Sequence, residues 1–249
     1  MVNEKMACDL RALGIKEDDV VLVHASLSSL GYVEGGADTV IDTLLSVLKE
    51  GTLLLPTLSY CAVTVEEPVF SVNDTPSCVS KISEVFRRRE GVIRSIHPTH
   101  SVAAYGKYAR ELTERHIESD TPVGATSPFA LLPKYKGKVL MLGCTLGPNT
   151  SMHGVEELVK PDYLLCPEML EYTLIDADGK EIKKKYWRHF FHAPGYSAEQ
   201  RYARLANVMD IPSGKVLEAT AYLIDAETMW EKGYEALKQD SHYFVEIFN

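Results

Sequence analysis

Short apolar runs and helical apolar periodicity alternate along the first sixty residues. Val20 to His24 is an apolar, β-branched run, which is typical of a strand buried on both faces. Residues 38–48 carry apolar side chains at helical spacing, with Asp38 as the predicted N-cap. Thr52–Pro56 predicts a second buried strand. Strand, loop, helix and strand within about 35 residues is the size of a βαβ unit.

The remainder of the chain is less regular. Asn3 caps a predicted first helix that ends at Gly14, and residues 60–78 predict an excursion loop. Further strands are predicted at Ser101–Tyr105, Val139–Gly143, Tyr172–Asp176 and Lys183–Trp187. Further helices are predicted at 79–89, 107–115, 151–160, 197–208 and 226–238. Asp178-Gly179 is a hairpin signal between the last two strands.

This order of elements predicts an α/β fold. We expect a layered α/β/α sandwich with a mixed sheet, parallel at its first unit and antiparallel at the late hairpin. We expect one domain over residues 1–249, since no linker, repeat or low-complexity tract is visible.

Composition and charge narrow the function classes. Hydrophobic residues make up 45% of the chain, which excludes a disordered protein. The chain has 26 Lys and Arg against 35 Asp and Glu, a formal net charge of −9, which disfavours nucleic acid and anionic membranes as partners. The N-terminus lacks the apolar core of a signal peptide, and the five scattered cysteines form no C-x-x-C pair. We therefore expect a reduced, cytoplasmic enzyme.

Several common catalytic motifs are absent from the sequence. There is no G-x-x-x-x-G-K-[ST] loop, no G-x-G-x-x-G fingerprint, no G-x-S-x-G elbow and no H-E-x-x-H helix. P-loop NTPases, Rossmann dehydrogenases and ordinary α/β-hydrolases are disfavoured accordingly.

A histidine and a serine-rich loop follow the first strand. His24 ends this strand, where an open α/β sheet places its ligand crevice. The loop Ser26, Leu27, Ser28 and Ser29 offers hydroxyls and free backbone N–H groups to a phosphate, an amide or an oxyanion. The alternative is an ordinary turn with local hydroxyl-to-backbone hydrogen bonds.

The segment 94–101 combines Arg94, Ser95, His97, His100 and Ser101 around a proline. Such a segment suits a binding loop for an anionic or amide-bearing ligand. The two histidines are alternatively metal ligands, but no carboxylate or cysteine lies nearby in sequence to complete a metal site. At least one of them is alternatively a structural histidine.

His153 and Glu156 lie three residues apart on a predicted helix that follows a strand. This spacing puts both side chains on one face, within reach of each other. A carboxylate beside an imidazole raises its basicity, as a general base near neutral pH requires. The alternative is an exposed pair with no catalytic role.

Two further features carry weaker signals. Residues 186–192 are dense in aromatic rings and imidazoles, and they line an acceptor pocket or pack on a sheet. Cys144 follows a predicted strand in the position of a nucleophile, although most such cysteines are small buried hydrophobic residues.

Five motifs occur in a set order: His24-Ala25-Ser26-Leu27-Ser28-Ser29-Leu30-Gly31 with Gly35-Gly36, Pro56-Thr57, Arg94-Ser95-x-His97-Pro98-x-His100-Ser101, Ser127-Pro128, and Gly143…Asn149-Thr150-Ser151-x-His153-x-x-Glu156. In this order they resemble the aminoglycoside 3-N-acetyltransferase family, antibiotic N-acetyltransferases outside the common GNAT fold. The ordered set is much more specific than any single motif.

The resemblance implies acetyl-CoA as the donor, a small-molecule amine as the acceptor, and no metal. It implies that His153 is the base, tuned by a carboxylate for which Glu156 is the candidate, and that His24 lines the active site. It further implies that the serine-rich loop and the segment with Arg94, Ser95, His97 and Ser101 contact the coenzyme.

The late aromatic segment departs from the family's resistance enzymes. Those often have acidic residues where this chain has Arg188 and His189, so the acceptor is open between aminoglycosides, amino sugars and other amines. Tyr60, His189 and Glu157 are the candidate acceptor contacts. Carboxylates that are able to add negative charge are Glu66, Glu67, Asp74, Asp120 and Glu157.

Two rival functions keep the same fold. The first is a metal-dependent hydrolase, and the second is a non-catalytic protein that binds CoA or a sugar. The hydrolase would be built from His24, His97, His100 and His153. Solvent-facing aromatic residues near the C-terminus indicate a possible homodimer.

Overall fold

The computed structural model describes residues 1–193 and 196–248. Its helices are α1 (Glu4–Ala12), α2 (Gly36–Val47), α3 (Lys81–Phe86), α4 (Ala109–Thr113), α5 (Pro128–Leu131), α6 (Ser151–Val159) and α7 (Ala226–Gln239). Its strands are β1 (Val20–Ala25), β2 (Thr52–Pro56), β3 (Val69–Ser71), β4 (Ile93–Arg94), β5 (Val102–Gly106), β6 (Lys138–Leu142), β7 (Leu170–Ile175), β8 (Glu181–Tyr186), β9 (His192–Ala193), β10 (Tyr196–Gln200), β11 (Ser213–Val216), β12 (Ala219–Asp225) and β13 (Val245–Phe248).

A seven-stranded mixed sheet forms the centre, in the order β11-β12-β6-β1-β2-β5-β4. β1 runs parallel to both β2 and β6, and the other neighbouring strands pair antiparallel. The parallel first unit is confirmed. Side chains at alternate positions along β1 enter different cores: Val21 and Val23 pack with α1 and α2, whereas Val20 and Leu22 pack with α6 and α7. Helices therefore cover both faces, as the predicted α/β/α sandwich requires.

Two three-stranded sheets flank this centre. One has the order β3-β7-β8, and the other has the order β13-β10-β9. The predicted hairpin at Asp178-Gly179 is confirmed, with Gly179 at φ 83° in the turn between β7 and β8. It lies outside the large sheet because β7 pairs in parallel with β3, a strand within the predicted loop 60–78.

Two sequence predictions about local structure are wrong. Asp38 is not the N-cap of α2: Gly35 precedes the helix at φ 77°, and Asp38 lies in the first turn. The predicted helix 197–208 is instead strand β10 followed by a 3-10 turn, Tyr202–Asn207, because β10 pairs with the distant β13. The β11–β12 hairpin and β13 itself lack a prediction.

The chain topology gathers the candidate residues at one edge of the large sheet. β1 and β6 are adjacent and parallel, so both end at this edge, where the backbone N–H of Ser26 donates to Leu142. α6 begins nine residues after Leu142. No helix within residues 1–193 and 196–248 is long and apolar enough to span a membrane.

Candidate active site

A cavity of about 800 Å³ opens at this edge. That volume is within the range of small-molecule binding sites. The predicted site residues on its wall are His24, Ser26, Tyr60, His153 and His189. The remaining predicted residues lie behind the wall or outside it.

The predicted pair on α6 comes together as the spacing requires. Nδ1 of His153 lies 3.0 Å from Oε2 of Glu156, whose side chain is fully buried. The Tyr202 hydroxyl lies 2.6 Å from the same Nδ1 and donates to Oε2 at 2.7 Å. Tyr163 donates to the other carboxylate oxygen at 2.8 Å. Glu156 thus accepts hydrogen bonds from two phenols and lies beside one imidazole.

These contacts select the tautomer of His153. Burial, reinforced by the Glu156 charge, raises the pKa of the Tyr202 phenol well above its usual value, so this group stays protonated. Because its proton is directed to Glu156, Nδ1 of His153 meets only acceptor oxygens and carries a proton of its own. Nε2 is then the ring nitrogen with a free lone pair for a molecule in the cavity.

His24 lies at the end of β1 and is 9% exposed. Burial, with a smaller contribution from the His153 charge, lowers its pKa to about 3, so the ring is neutral at physiological pH. Its Nε2 atom is buried and has no hydrogen-bond partner among the residues the structure describes. A buried polar atom on a cavity wall is a ready contact for a ligand.

Other rings surround His153. The ring centroids of His189 and Phe191 lie 4.4 and 5.0 Å from that of His153, and His100 lies 6.3 Å away. Burial and, to a smaller extent, neighbouring imidazoles hold the pKa of both His100 and His189 well below its usual value. Tyr60 is half exposed at the rim, 6.4 Å from His100 between ring centroids.

Glu157 lies behind the cavity wall, not on it as predicted for an acceptor contact. It accepts hydrogen bonds from the Thr121 hydroxyl at 2.5 Å and from Val123 N–H at 2.8 Å. Burial, only partly offset by these bonds, raises its pKa to about 7. Oε1 lies 3.7 Å from Nε2 of His189, so any influence of Glu157 on the cavity passes through His189.

The serine-rich loop meets the cavity only through Ser26; Leu27, Ser28 and Ser29 do not line it. The hydroxyl of Ser26 lies 2.8 Å from that of Ser29 and 3.3 Å from that of Ser28. The expectation of free backbone N–H groups is wrong at Ser26, whose N–H is bonded to Leu142 within the sheet.

The segment with Arg94, Ser95, His97 and Ser101 lies behind the wall. Every nitrogen of the buried Arg94 guanidinium is bonded to protein: to the Thr57 and Ser101 hydroxyls and to backbone carbonyls. Nδ1 of His97 accepts the N–H groups of Thr99 and His100. Ser95 bonds to His116 at 2.8 Å. These four residues are not part of the cavity lining, and the bonds above lie within the protein, so their contact with the coenzyme stays a prediction.

Cys144 does not have the surroundings of a nucleophile. Burial raises the pKa of its thiol to about 11, and Sγ donates to the His24 carbonyl at 3.4 Å. A protonated thiol is a poor nucleophile. Within the described ranges, no three His, Cys, Asp or Glu side chains are arranged to hold a metal ion.

No sequence motif points to Tyr202 and Tyr163, the two phenols that donate to Glu156. The sequence predicts a helix at Tyr202, and the approach of Tyr202 to His153 depends on the pairing of β10 with β13. Phe191 and Arg188, by contrast, lie on the cavity wall within residues 186–192, the segment dense in aromatic rings and imidazoles.

The fold and the cavity define a class: an α/β enzyme for small molecules, with a histidine–glutamate pair on the wall of a ligand-sized cavity. The sequence model of the aminoglycoside 3-N-acetyltransferase family matches residues 22–238, and the chain belongs to this family of acetyl-CoA-dependent acyltransferases. The resemblance read from the motifs is confirmed.

Individual members of this family are similar to the chain in sequence and in structure. Aminoglycoside N(3)-acetyltransferase VII of Streptomyces paromomycinus is 33% identical over 208 residues, covering 76% of this chain and 70% of that protein. The crystal structure of aminoglycoside acetyltransferase AAC(3)-Xa matches with a TM-score of 0.82 at 29% identity, covering 95% and 92% of the two chains. AAC-IIIb, solved as a binary complex with CoASH, matches with a TM-score of 0.81 at 25% identity, covering 96% and 97%. The predicted fold class is confirmed.

Proposed function

We propose that this protein moves the acetyl group of acetyl-CoA to an amine of an aminoglycoside or another amino-sugar-like acceptor, directly and within one ternary complex. Family membership and the relative solved with CoASH support the donor. The names of the relatives support an aminoglycoside-type acceptor. The cavity of about 800 Å³ has room for the reacting ends of both molecules.

His153 is the general base of this proposal. The acceptor nitrogen attacks the thioester carbonyl carbon, and Nε2 of His153 takes the proton from that nitrogen. The C–S bond then breaks, and the imidazolium returns the proton to the departing sulfur, so that CoA leaves as its thiol and His153 is neutral again. Glu156 stabilises the imidazolium that forms, since Oε2 lies 3.0 Å from Nδ1. General base catalysis of this kind contributes on the order of 10²–10⁴-fold.

His24 and Ser26 are the proposed contacts of the thioester oxygen. The carbonyl oxygen gains negative charge during attack, and neutral donors in a partly dry site stabilise it. His24 is neutral and its Nε2 is unpartnered within the described chain, and the Ser26 hydroxyl lies on the same wall. One such donor contributes on the order of 10²–10³-fold.

The observation that carries the proposal is the contact of His153 with Glu156 and Tyr202 at the cavity wall. The test is release of CoA thiol from acetyl-CoA across a panel of amines, with wild type and His153→Ala. Amine-dependent thiol release that His153→Ala loses supports the proposal.

Other outcomes favour the rivals. Tight binding of acetyl-CoA without thiol release from any amine supports a non-catalytic binding protein. Stoichiometric metal in the purified protein, together with hydrolysis that a chelator abolishes, supports the metal-dependent hydrolase.

A further inference from the structure

The cavity carries little negative charge. Of the described residues on its wall, Glu66 and Arg188 are the two acidic or basic ones besides the histidines. His24, His100 and His189 are neutral, because burial lowers the pKa of each. Glu156 and Glu157 lie behind the wall and are occupied by hydrogen bonds from protein groups. An acceptor with several ammonium groups therefore finds one carboxylate, at the exposed Glu66.

Arg188 forms no ion pair among the residues that the structure describes. Its charge acts on Glu66 from farther away: hydrogen bonds from the Glu66 backbone and Thr64, and to a smaller extent the charge of Arg188, lower the pKa of Glu66. No carboxylate of residues 1–193 or 196–248 lies within 4.0 Å of its guanidinium as an ion pair, and its buried Nε has no hydrogen-bond partner among those residues. Arg94, by comparison, has every guanidinium nitrogen bonded to protein. A partly buried guanidinium without an anion is costly, and its planar donors match a carboxylate or phosphate.

The backbone around Arg188 is fixed. The Arg188 carbonyl accepts the N–H of Cys166, Phe190 donates to Leu164, and His189 forms a bridge with Leu165. Arg188 precedes His189, whose ring lies 4.4 Å from that of the proposed base His153. Arg188 and these two histidines all line the same cavity.

We propose that the acceptor carries an anionic oxygen group, a carboxylate or a phosphate, beside its reacting amine, and that Arg188 binds this group. The inference rests on the proposed function, because it names the class of acceptor. The pyrophosphate of the coenzyme has the same chemistry. It is the less suitable occupant because the pantetheine arm separates it from the thioester, which has to reach His153.

The experiment compares matched acceptors at saturating acetyl-CoA, following thiol release. Glucosamine and 2-amino-2-deoxyglucuronic acid differ only at C6, which is a hydroxymethyl group in the first and a carboxylate in the second. Glucosamine 6-phosphate carries a phosphate at this position, and kanamycin is a polycation. We expect kcat/KM for the two anionic acceptors to exceed that for glucosamine by about tenfold or more, as a charge-assisted bidentate contact gives.

Variants then assign the effect to the side chain. Arg188→Gln should lower kcat/KM for the anionic acceptors by about tenfold and change that for glucosamine by less than about twofold, with the KM for acetyl-CoA unchanged. Arg188→Lys should retain part of the preference for anionic acceptors, because lysine keeps the positive charge but lacks the planar guanidinium that donates two parallel hydrogen bonds. The control is Arg115→Gln, an exposed arginine paired with Glu118, which should behave as wild type.

Each alternative outcome overturns the inference. A wild-type preference for kanamycin, or equal losses on glucosamine and the anionic acceptors in Arg188→Gln, contradicts it while leaving acetyl transfer intact. A rise in the KM for acetyl-CoA alone assigns Arg188 to the coenzyme. Absence of thiol release with every amine contradicts the proposed function as well. Where Arg188→Gln fails to fold, the preference of the wild-type protein for anionic acceptors over glucosamine still tests the inference.

Discussion

The hydroxyl of Tyr202 lies 2.6 Å from Nδ1 of His153, although the two residues are 49 positions apart in the chain. The same hydroxyl donates to Oε2 of Glu156 at 2.7 Å. One phenol thus contacts both the imidazole and the carboxylate and holds the ring in the tautomer that leaves Nε2 free. This contact makes Tyr202 a positioning residue for the proposed base.

Tyr202→Phe should lower kcat by about tenfold, because Glu156 and His153 lose the hydroxyl that orients them. The matched control is Tyr163→Phe, which removes a hydrogen bond to Oε1, the oxygen remote from His153. Both variants should lose about 1 kcal/mol of unfolding free energy, the usual cost of a lost hydrogen bond. The measurement is kcat beside urea unfolding. Equal losses of kcat in the two variants would show that Tyr202 acts only through the charge of Glu156.

The sequence predicts the part of the site that depends on local spacing. His153 and Glu156 share a helix face, and His24 ends a buried strand, so a helical period and a strand boundary are sufficient for both. Tyr202 reaches the site through the pairing of two short strands that are far apart in sequence. The spacing of residues along the chain therefore does not predict the contact of Tyr202 with His153 and Glu156.

Charged and polar residues in a motif are harder to assign. Arg94 and His97 have the composition of an anion-binding loop, yet the guanidinium nitrogens of Arg94 and Nδ1 of His97 are bonded to the protein itself. Composition shows which groups are available for bonding. Only the fold shows whether a ligand or a neighbouring carbonyl receives them.

Arg94→Met should destabilise the protein by about 3–5 kcal/mol, because it leaves the carbonyls of Val72, Thr75 and Thr57 without their buried donor. Arg115→Gln, on an exposed pair, should change the free energy of unfolding by less than about 0.5 kcal/mol. Chemical denaturation of the two variants and wild type is the measurement. A loss below about 1 kcal/mol in Arg94→Met would contradict the structural role.

Glu157 gives a pH dependence of defined sign. Burial raises its pKa from 4.5 to about 7, so the native state holds the proton more tightly than the unfolded state between these values. The contribution of Glu157 to the free energy of unfolding therefore falls as pH rises through this window. The variant Glu157→Gln lacks this pH-dependent contribution to the free energy of unfolding. Its stability relative to wild type should rise by roughly 2–3 kcal/mol from pH 5 to pH 8.

The control for this pH series is Glu171→Gln, at an exposed carboxylate on β7. Its stability relative to wild type should be the same at both pH values. A relative stability of Glu157→Gln that is constant between pH 5 and pH 8 would mean that Glu157 has an ordinary carboxyl pKa in the folded protein.

Cys144→Ala should keep kcat within about twofold of wild type, because burial raises the pKa of this thiol to about 11 and the proposed transfer is direct. Intact mass after incubation with acetyl-CoA alone should show no added acetyl group on the wild-type protein. An acetyl-enzyme that Cys144→Ala no longer forms would replace direct transfer with a two-step route.

The most direct test of the proposed acetyl transfer is the kcat of His153→Ala, measured as thiol release with the best amine acceptor at saturating acetyl-CoA. We expect kcat to fall on the order of 10²–10⁴-fold while the affinity for acetyl-CoA stays close to that of wild type. A kcat near that of wild type would contradict His153 as the base.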